Sequence, residues 1–330
     1  MERICSRYKG RCTRRNVRRQ LIFETLKVCD QEIRVEGRLI RIARLELDKY
    51  EFLEDPAAML DGLQMSGVRI DLFTFLQKLP ETLQSSSETL PKYDYAMEWD
   101  NLAVLPVSSF DHWWNRQIRS DTRNRARQAE KKGVVLREVP FDGALVQGIW
   151  EIYNECPVRQ GKPFIHYGKD IETIRKMSVT FLDRSIFIGA FLGDRLIGFI
   201  KLVTNQARTQ ACTMHIVSLV QHRDKAPTNA LIARAVRVCA EQGIRYLVYQ
   251  NFTYGKKEGD SLSHFKEING FCRVNLPRYY VPLTSIGRAA FSLGLHRKLS
   301  DHFPEPLVTK LRELRTAWYK RKLQISTEAS

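Results

Sequence analysis

SIFIGAFLGDRLIGFIKLV, residues 185–203, consists of two apolar runs joined across Gly193-Asp194-Arg195. Two such runs around a short Gly-Asp turn predict a tight β-hairpin, with Gly189 and Gly198 placed symmetrically about it. Asp194 and Arg195 interrupt the stretch, so it falls short of the roughly 18–20 apolar residues that a spanning helix needs. On its C-terminal side, ACTMHIVSLV (211–220) reads as a strand and QHRDKAPTN (221–229) as a polar loop. ALIARAVRVCAEQ (230–242) reads as a helix ended by Gly243, and IRYLVYQ (244–250) as a further strand. A short helix, SLSHFKEING (261–270), and a last strand, FCRVNLPRYYVPL (271–283), follow.

Towards the N-terminus the pattern predicts helices at Asp170–Phe181 and Asp142–Cys156 and a strand at Val134–Val139. Before them come one long helix from about His112 to Lys132, capped by Ser109 or Asp111 and stopped at Gly133, and a strand at Tyr95–Val107. ETLQSSSETLPK (81–92) is the clearest loop and the expected internal boundary. Ahead of it, Gln31–Leu47 suggests a strand or hairpin, Pro56–Met65 a helix and Val68–Leu76 a strand, which make a small α/β module. The arm RCTRRNVRRQ (11–20) is too polar to pack and is expected to stay mobile or lie on an anionic surface. The organisation read from the sequence is therefore 1–90, an arm and small module; 91–287, the main domain; and 288–330, a basic C-terminal extension.

The chain has 330 residues, 43% of them hydrophobic and 27% charged, which are globular proportions and exclude a disordered or collagen-like chain. The opening residues MERICSRYKG lack an apolar core segment and do not read as a secretory signal, so a cytoplasmic protein is expected. Seven cysteines, odd in number and never in a CxxC pair, point to reduced thiols and to no metal site.

The formal net charge is +16, and it is concentrated. Residues 1–41 carry 12 Lys/Arg against 5 Asp/Glu, residues 116–137 carry 8 against 2, and residues 288–323 carry 9 against 3, leaving the body of the chain near neutral. Such a distribution suits a phosphate-rich partner such as RNA, an anionic membrane face or a nucleotide-linked donor; it equally suits solubility with loose polyanion attraction. In the predicted helix 112–132, Arg116, Arg119, Arg123 and Arg127 recur at three or four residues and share a face. Trp113 and Trp114 at its start are assigned to core packing. The stretch 291–323 reads as an amphipathic basic helix, packed back on the domain or laid on an anionic bilayer.

The order of elements, with RNRARQAEKKGVVLREV (123–139), PTNALIARAV (227–236), EQGIRYLVY (241–249) and SLSHFKEINGF (261–271), resembles the GNAT acyltransferase fold and, within it, the Fem-like peptidoglycan-bridge aminoacyltransferases. The resemblance covers about residues 134–284. It implies an α/β (α+β) fold with a mixed, mostly antiparallel twisted sheet flanked by helices, beside the smaller N-terminal module. It also implies direct acyl or aminoacyl transfer to an amine or hydroxyl acceptor, a small molecule or a cell-envelope precursor. The donor would be acyl-CoA (acetyl-CoA) or aminoacyl-tRNA, the latter gripped by the basic helix 112–132, with peripheral membrane contact through 288–323. A function of another class also fits: a non-catalytic GNAT scaffold that binds RNA or an anionic membrane surface.

The resemblance implies a donor channel along the backbone of Ile216, Val217, Ser218 and Leu219. A pyrophosphate loop would follow at Arg223, Lys225 and Asn229. That loop lacks both family glycines, and Pro227 removes an N–H donor. His215, on the predicted strand, is a candidate base or acceptor-binding group, or a satisfied core histidine. CPVRQGKPFIHYGKD (156–170) is dense in functional side chains. There, Arg159 and Gln160 are candidates for binding the acceptor, and His166 or Tyr167 for moving a proton. Lys266 matches a lysine of the Fem-like pattern and is expected to neutralise charge on the donor or tetrahedral intermediate. Asn251 is placed with the acceptor, and Tyr254 is the expected proton donor to the leaving group. No Ser-His-Asp spacing, zinc signature or Walker loop appears.

Overall fold

The structure is a computed structural model that describes residues 23–49, 51–80, 83, 89–159, 162–254, 261–297, 310, 311, 314, 317 and 318. The arm 11–20, Gln160 and most of the stretch 288–323 lie outside the described residues. In chain order the elements begin with strands β1 (Phe23–Val28), β2 (Gln31–Glu36) and β3 (Ile42–Leu45), helix α1 (Pro56–Met65), and strands β4 (Leu72–Leu76) and β5 (Ala96–Pro106). Next come α2 (Phe110–His112), a π-helical turn (Trp113–Gln117), α3 (Ser120–Lys131), β6 (Val134–Glu138) and α4 (Gly143–Asn154). A short ladder, β7 (Val158–Arg159) and β8 (Lys162–Pro163), leads to α5 (Ile171–Ser178), β9 (Ser185–Leu192), β10 (Arg195–Thr204) and β11 (Gln210–Ser218). A 3-10 turn (Val220–Lys225), α6 (Pro227–Glu241), β12 (Tyr246–Val248), α7 (Ser261–Ile268), β13 (Cys272–Pro282) and α8 (Ser285–Ser292) complete the series.

Two compact units divide the chain, one running up to Leu102 and taking in Val274–Leu299, the other holding Ala103–Arg273. The division falls inside β5 and β13 and not in the Ser/Thr-rich loop. Residues 274–287, assigned by sequence to the main domain, pack with the N-terminal strands because β13 pairs with β4 from Arg278↔Leu76 to Pro282↔Leu72.

In the first unit β1, β2 and β3 form an antiparallel meander, and β3 runs parallel to β4. The sequence reading starts the fold at Gln31 and misses β1, whose residues alternate too weakly: only Val28 of the six is buried. Its turn to β2, Cys29-Asp30, has φ of 48° and 60°, the mirror-image geometry that two-residue hairpins favour. Gly37 sits at φ +100°, where an added Cβ would lie 2.0 Å from the Ile40 carbonyl oxygen, so the β2–β3 turn requires glycine. α1 begins as its sequence dictates, with the Asp55 carboxylate accepting from Ala58 N and Pro56 in the first turn. The core is aromatic: Phe75 and Tyr279 lie 5.1 Å apart, and the Tyr279 hydroxyl donates to Gln77 Oε1 at 2.6 Å.

In the second unit the C-terminal part of β5 pairs antiparallel with β12, β12 runs parallel to β11, and β11, β10, β9 and β6 continue antiparallel. The decisive hairpin forms with Leu192 paired to Arg195 across Gly193-Asp194. Nine of the ten residues of β10 are buried because helices cover both of its faces. α4 covers one face, where Tyr153 meets Phe199, and α6 covers the other, where Leu231 lies against Gly198.

The single helix expected over 112–132 is three pieces. Ile118 and Arg119 are extended, Ile118 turns into the core, and Arg123 folds back to donate to the carbonyls of Trp114 at 2.9 Å and Ile118 at 2.7 Å. The arginine stripe is therefore broken at its centre, and Arg123 does not join it. Trp113 is buried as expected, its indole N–H donating to Asn269 O at 3.0 Å.

Candidate active site

The site begins with a parting of strands. β11 pairs with β12 only over Gln210–Cys212, after which His215–Ser218 keep β10 as their one strand neighbour among the described residues. The chain beyond β12 turns away at Gln250, φ 53°, and its Tyr249 N–H and Gln250 C=O both bond to Ala103. Opposite the gap, β10 pairs Lys201 with His215 and Leu202 with Thr213, so Met214 is the extra residue of a bulge.

Beside the bulge two histidines meet. The loop before α5 carries His166 under α4, where its ring stacks on Tyr153 at 4.4 Å and meets His215 edge-on at 5.8 Å. Phe164 closes the other side of His166 at 5.2 Å. Burial pushes the imidazole of His166 down to about 4, with the Lys169 charge adding to it. Burial likewise takes His215 to about 4, helped by His166 and Lys201. Both rings are thus neutral near pH 7, and His166 Nδ1 is buried with no hydrogen-bond partner among the described residues.

Lys201, fully buried, lies next to His215 and donates to Ser178 O at 2.9 Å, to Thr180 O and to Thr180 Oγ1 at 3.2 Å. No carboxylate among the described residues pairs with it, and burial lowers its ammonium to about 8. Sequence reasoning passed over Lys201 and Tyr153. The signal for the first was present: a single lysine within LIGFIKLVT, where a strand covered on both faces does not admit a charge without purpose.

Arg159 is committed to structure. Its guanidinium donates to Ser218 O at 2.7 Å, Ile152 O at 2.8 Å and Glu155 Oε2 at 3.0 Å, and lies 4.8 Å from the Phe164 ring. Glu155, which the sequence reading also missed, accepts in turn from Val220 N at 2.7 Å and Gln221 N at 3.0 Å. A carboxylate of the chain itself thus sits on the backbone N–H groups that open the loop after β11. Of the expected donor-channel backbone, Ser218 O is taken by Arg159 and Leu219 N by Ile197 O at 2.8 Å, while Val217 pairs with Phe199.

The expected phosphate loop is a 3-10 turn ending at Ala226, φ 50°, with Pro227 opening α6. Lys225 faces the Asp224 carboxylate at 3.3 Å, and that carboxylate also receives Lys132 at 3.2 Å. Arg223 is exposed, and Asn229 is buried with its amide nitrogen unpartnered among the described residues.

Lys266, Asn251 and Tyr254 form a second group. Lys266 is fully buried on α7; its ammonium donates to Asn251 O and to Phe252 O at 3.2 Å and lies 4.8 Å from the Tyr254 ring. Tyr254 is half-exposed, as is Tyr167. Among the described residues no group of three His, Cys, Asp or Glu is arranged to hold a metal ion, and no helix is long and apolar enough to cross a membrane.

No protein-family model and no curated protein matches the chain. Solved structures do. FemX is similar with a TM-score of 0.56 at 11% identity, over 83% of this chain and 90% of that one. L-PGS from Bacillus licheniformis is similar with a TM-score of 0.54 at 11% identity, over 82% and 88%. The C-terminal domain of a putative lysylphosphatidylglycerol synthetase from Agrobacterium fabrum gives 0.52 at 9% identity, over 83% and 88%. The chain has the GNAT-type, Fem-like fold that its sequence resembles.

Proposed function

We propose that this chain is an acyltransferase that passes an aminoacyl group directly from charged tRNA to an amine or hydroxyl acceptor. The observation that carries the reading is the pair of neutral histidines beside the gap between β11 and β12, one of them with an unpartnered ring nitrogen. A neutral ring nitrogen is a site for the proton of an attacking nucleophile; burial makes it a weak base, so it holds that proton only for the length of the step. The acceptor's N–C or O–C bond to the acyl carbon forms as the ester C–O bond to the ribose breaks. His166 takes the proton of the acceptor and Tyr254 gives its own to the departing ribose hydroxyl; the imidazolium then loses its proton to solvent and the half-exposed phenolate regains one from it. Lys266 acts as a positioning residue, holding the backbone of Asn251 and Phe252 under Tyr254.

Charged tRNA is favoured over acyl-CoA by Glu155. A carboxylate already on Val220 N and Gln221 N repels a pyrophosphate there, and Pro227 withholds another donor. Exposed Arg116, Arg119 and Arg125 supply cations for an RNA backbone.

The test supplies the purified chain with mixed radiolabelled aminoacyl-tRNA or with labelled acetyl-CoA, together with a pool of amine and hydroxyl acceptors including cell-envelope precursors. Transfer from charged tRNA that His166→Gln and His215→Gln reduce at least about 100-fold is expected, within the range general acid–base groups contribute. Transfer from acetyl-CoA alone reverses the donor assignment. No transfer from either, with RNA still bound, leaves the binding-module function.

A further inference from the structure

A cavity of about 450 Å³ opens on the face of the sheet covered by α6, away from the histidines. Its lining combines flat cations with flat rings. Phe110 and Trp114 stack at 5.5 Å with their planes 23° apart; Arg237 lies 3.8 Å over Phe110 and Arg127 5.5 Å over Trp114. Val134, Ala230 and Ala233 give the same cavity an apolar floor.

Two of the three arginines in the lining keep their charge free of carboxylates among the described residues. Arg234, also in the lining, is neutralised by Glu138 at 2.9 Å and Glu241 at 3.8 Å. Arg127 and Arg237 are exposed and have no carboxylate partner among the described residues, and Glu130 is the one acidic group in the lining. A guanidinium laid on a ring keeps its N–H edge open for a bidentate oxyanion, and its outer face remains a stacking surface. Stacked aromatic planes that each carry a guanidinium are a means of holding an unstacked base. The volume lies within the range of small-ligand pockets.

We infer that this cavity binds a nucleotide, with the base stacked on the Arg127–Trp114 layer over the apolar floor and the phosphate on the edge of Arg237. The inference does not depend on the transfer reaction and stands or falls separately from it. Two sources share this chemistry, a free mononucleotide and a nucleotide at the end of a single-stranded RNA.

Calorimetric titration of the full chain with AMP, with a short single-stranded RNA and with anionic phospholipid vesicles tests it, with adenosine and inorganic phosphate as controls. Saturable binding of AMP or of the RNA is expected, at least about tenfold weaker in Arg237→Ala, the loss of one charge-assisted contact. It should be abolished in Ala233→Trp, which fills the cavity and changes no charge. AMP that displaces the RNA identifies the free nucleotide as sufficient; RNA that binds without AMP binding identifies the strand. Ala233→Trp or Arg237→Ala binding as well as wild type overturns the inference. So does inorganic phosphate matching AMP, or binding of vesicles alone. Arg237 is exposed, so its variant remains informative if the bulkier substitution unfolds the chain.

Discussion

His166 and His215 come from a loop and a strand 49 positions apart and meet edge to face, with ring planes at 79°. Both are held at about 4, chiefly by burial, against an ordinary value of 6.5. Between those values the unfolded chain binds protons that the folded chain refuses, so stability is full above about pH 6.5 and falls as the pH drops towards about 4. Denaturant melts at about pH 7 and about pH 5 should show the loss, and His166→Phe with His215→Phe should flatten it. An unchanged slope in the double variant would contradict these assignments.

Lys201→Met removes the cation beside His215. The imidazole should then protonate at higher pH than about 4, read from its ring resonances by NMR. The lysine's own effect has the same sign in another window. With its ammonium at about 8 when folded and 10.5 when not, stability from this group rises with pH across that interval, and the variant should lose that rise.

Glu155 joins Arg159 to two backbone N–H groups. Glu155→Ala should cost about 1.5–3 kcal/mol in denaturant melts, the range for hydrogen bonds to charged groups. Arg159→Met should cost a similar amount, and the double variant clearly less than the sum, because the two changes break one network.

Gly287 in α8 packs on the backbone at Asp71, where an added Cβ would lie 1.7 Å from the carbonyl oxygen. Backbone cannot yield as a side-chain tip does. Gly287→Ala should lower stability by at least about 1–3 kcal/mol, the cost of overpacking. Gly143→Ala, at the open start of α4 with nothing near its would-be Cβ, should be neutral or mildly stabilising on thermal denaturation.

Strong local signals made much of this legible. The 185–203 hairpin, α1 behind Asp55-Pro56 and the α6 face all follow from periodicity and caps, which depend on neighbours in sequence. What escaped depends on partners far along the chain. β1 is an edge strand with one buried residue, and the kink at Ile118 exists because that side chain is drawn into the core. His166 and His215 were visible as residue types, but their meeting is set by the stacking of Tyr153, which no spacing announces. Arg159 was legible as a functional cation and not as a brace, since two of its three hydrogen-bond partners, Ser218 and Ile152, offer only carbonyls.

The kink also changes what the basic segment does in solution. Of the seven cations from Arg116 to Lys132, Arg123 is turned onto carbonyls and Lys132 is neutralised by Asp224. Five remain to displace counterions from a polyanion. At about 0.7 per contact for a single strand, the logarithm of affinity from this segment should fall with the logarithm of salt at a slope near −3.5, against about −5 from the bare sequence. The fold has spent part of the segment's charge on its own backbone, and binding of a polyanion there should be correspondingly less sensitive to ionic strength than the composition suggests.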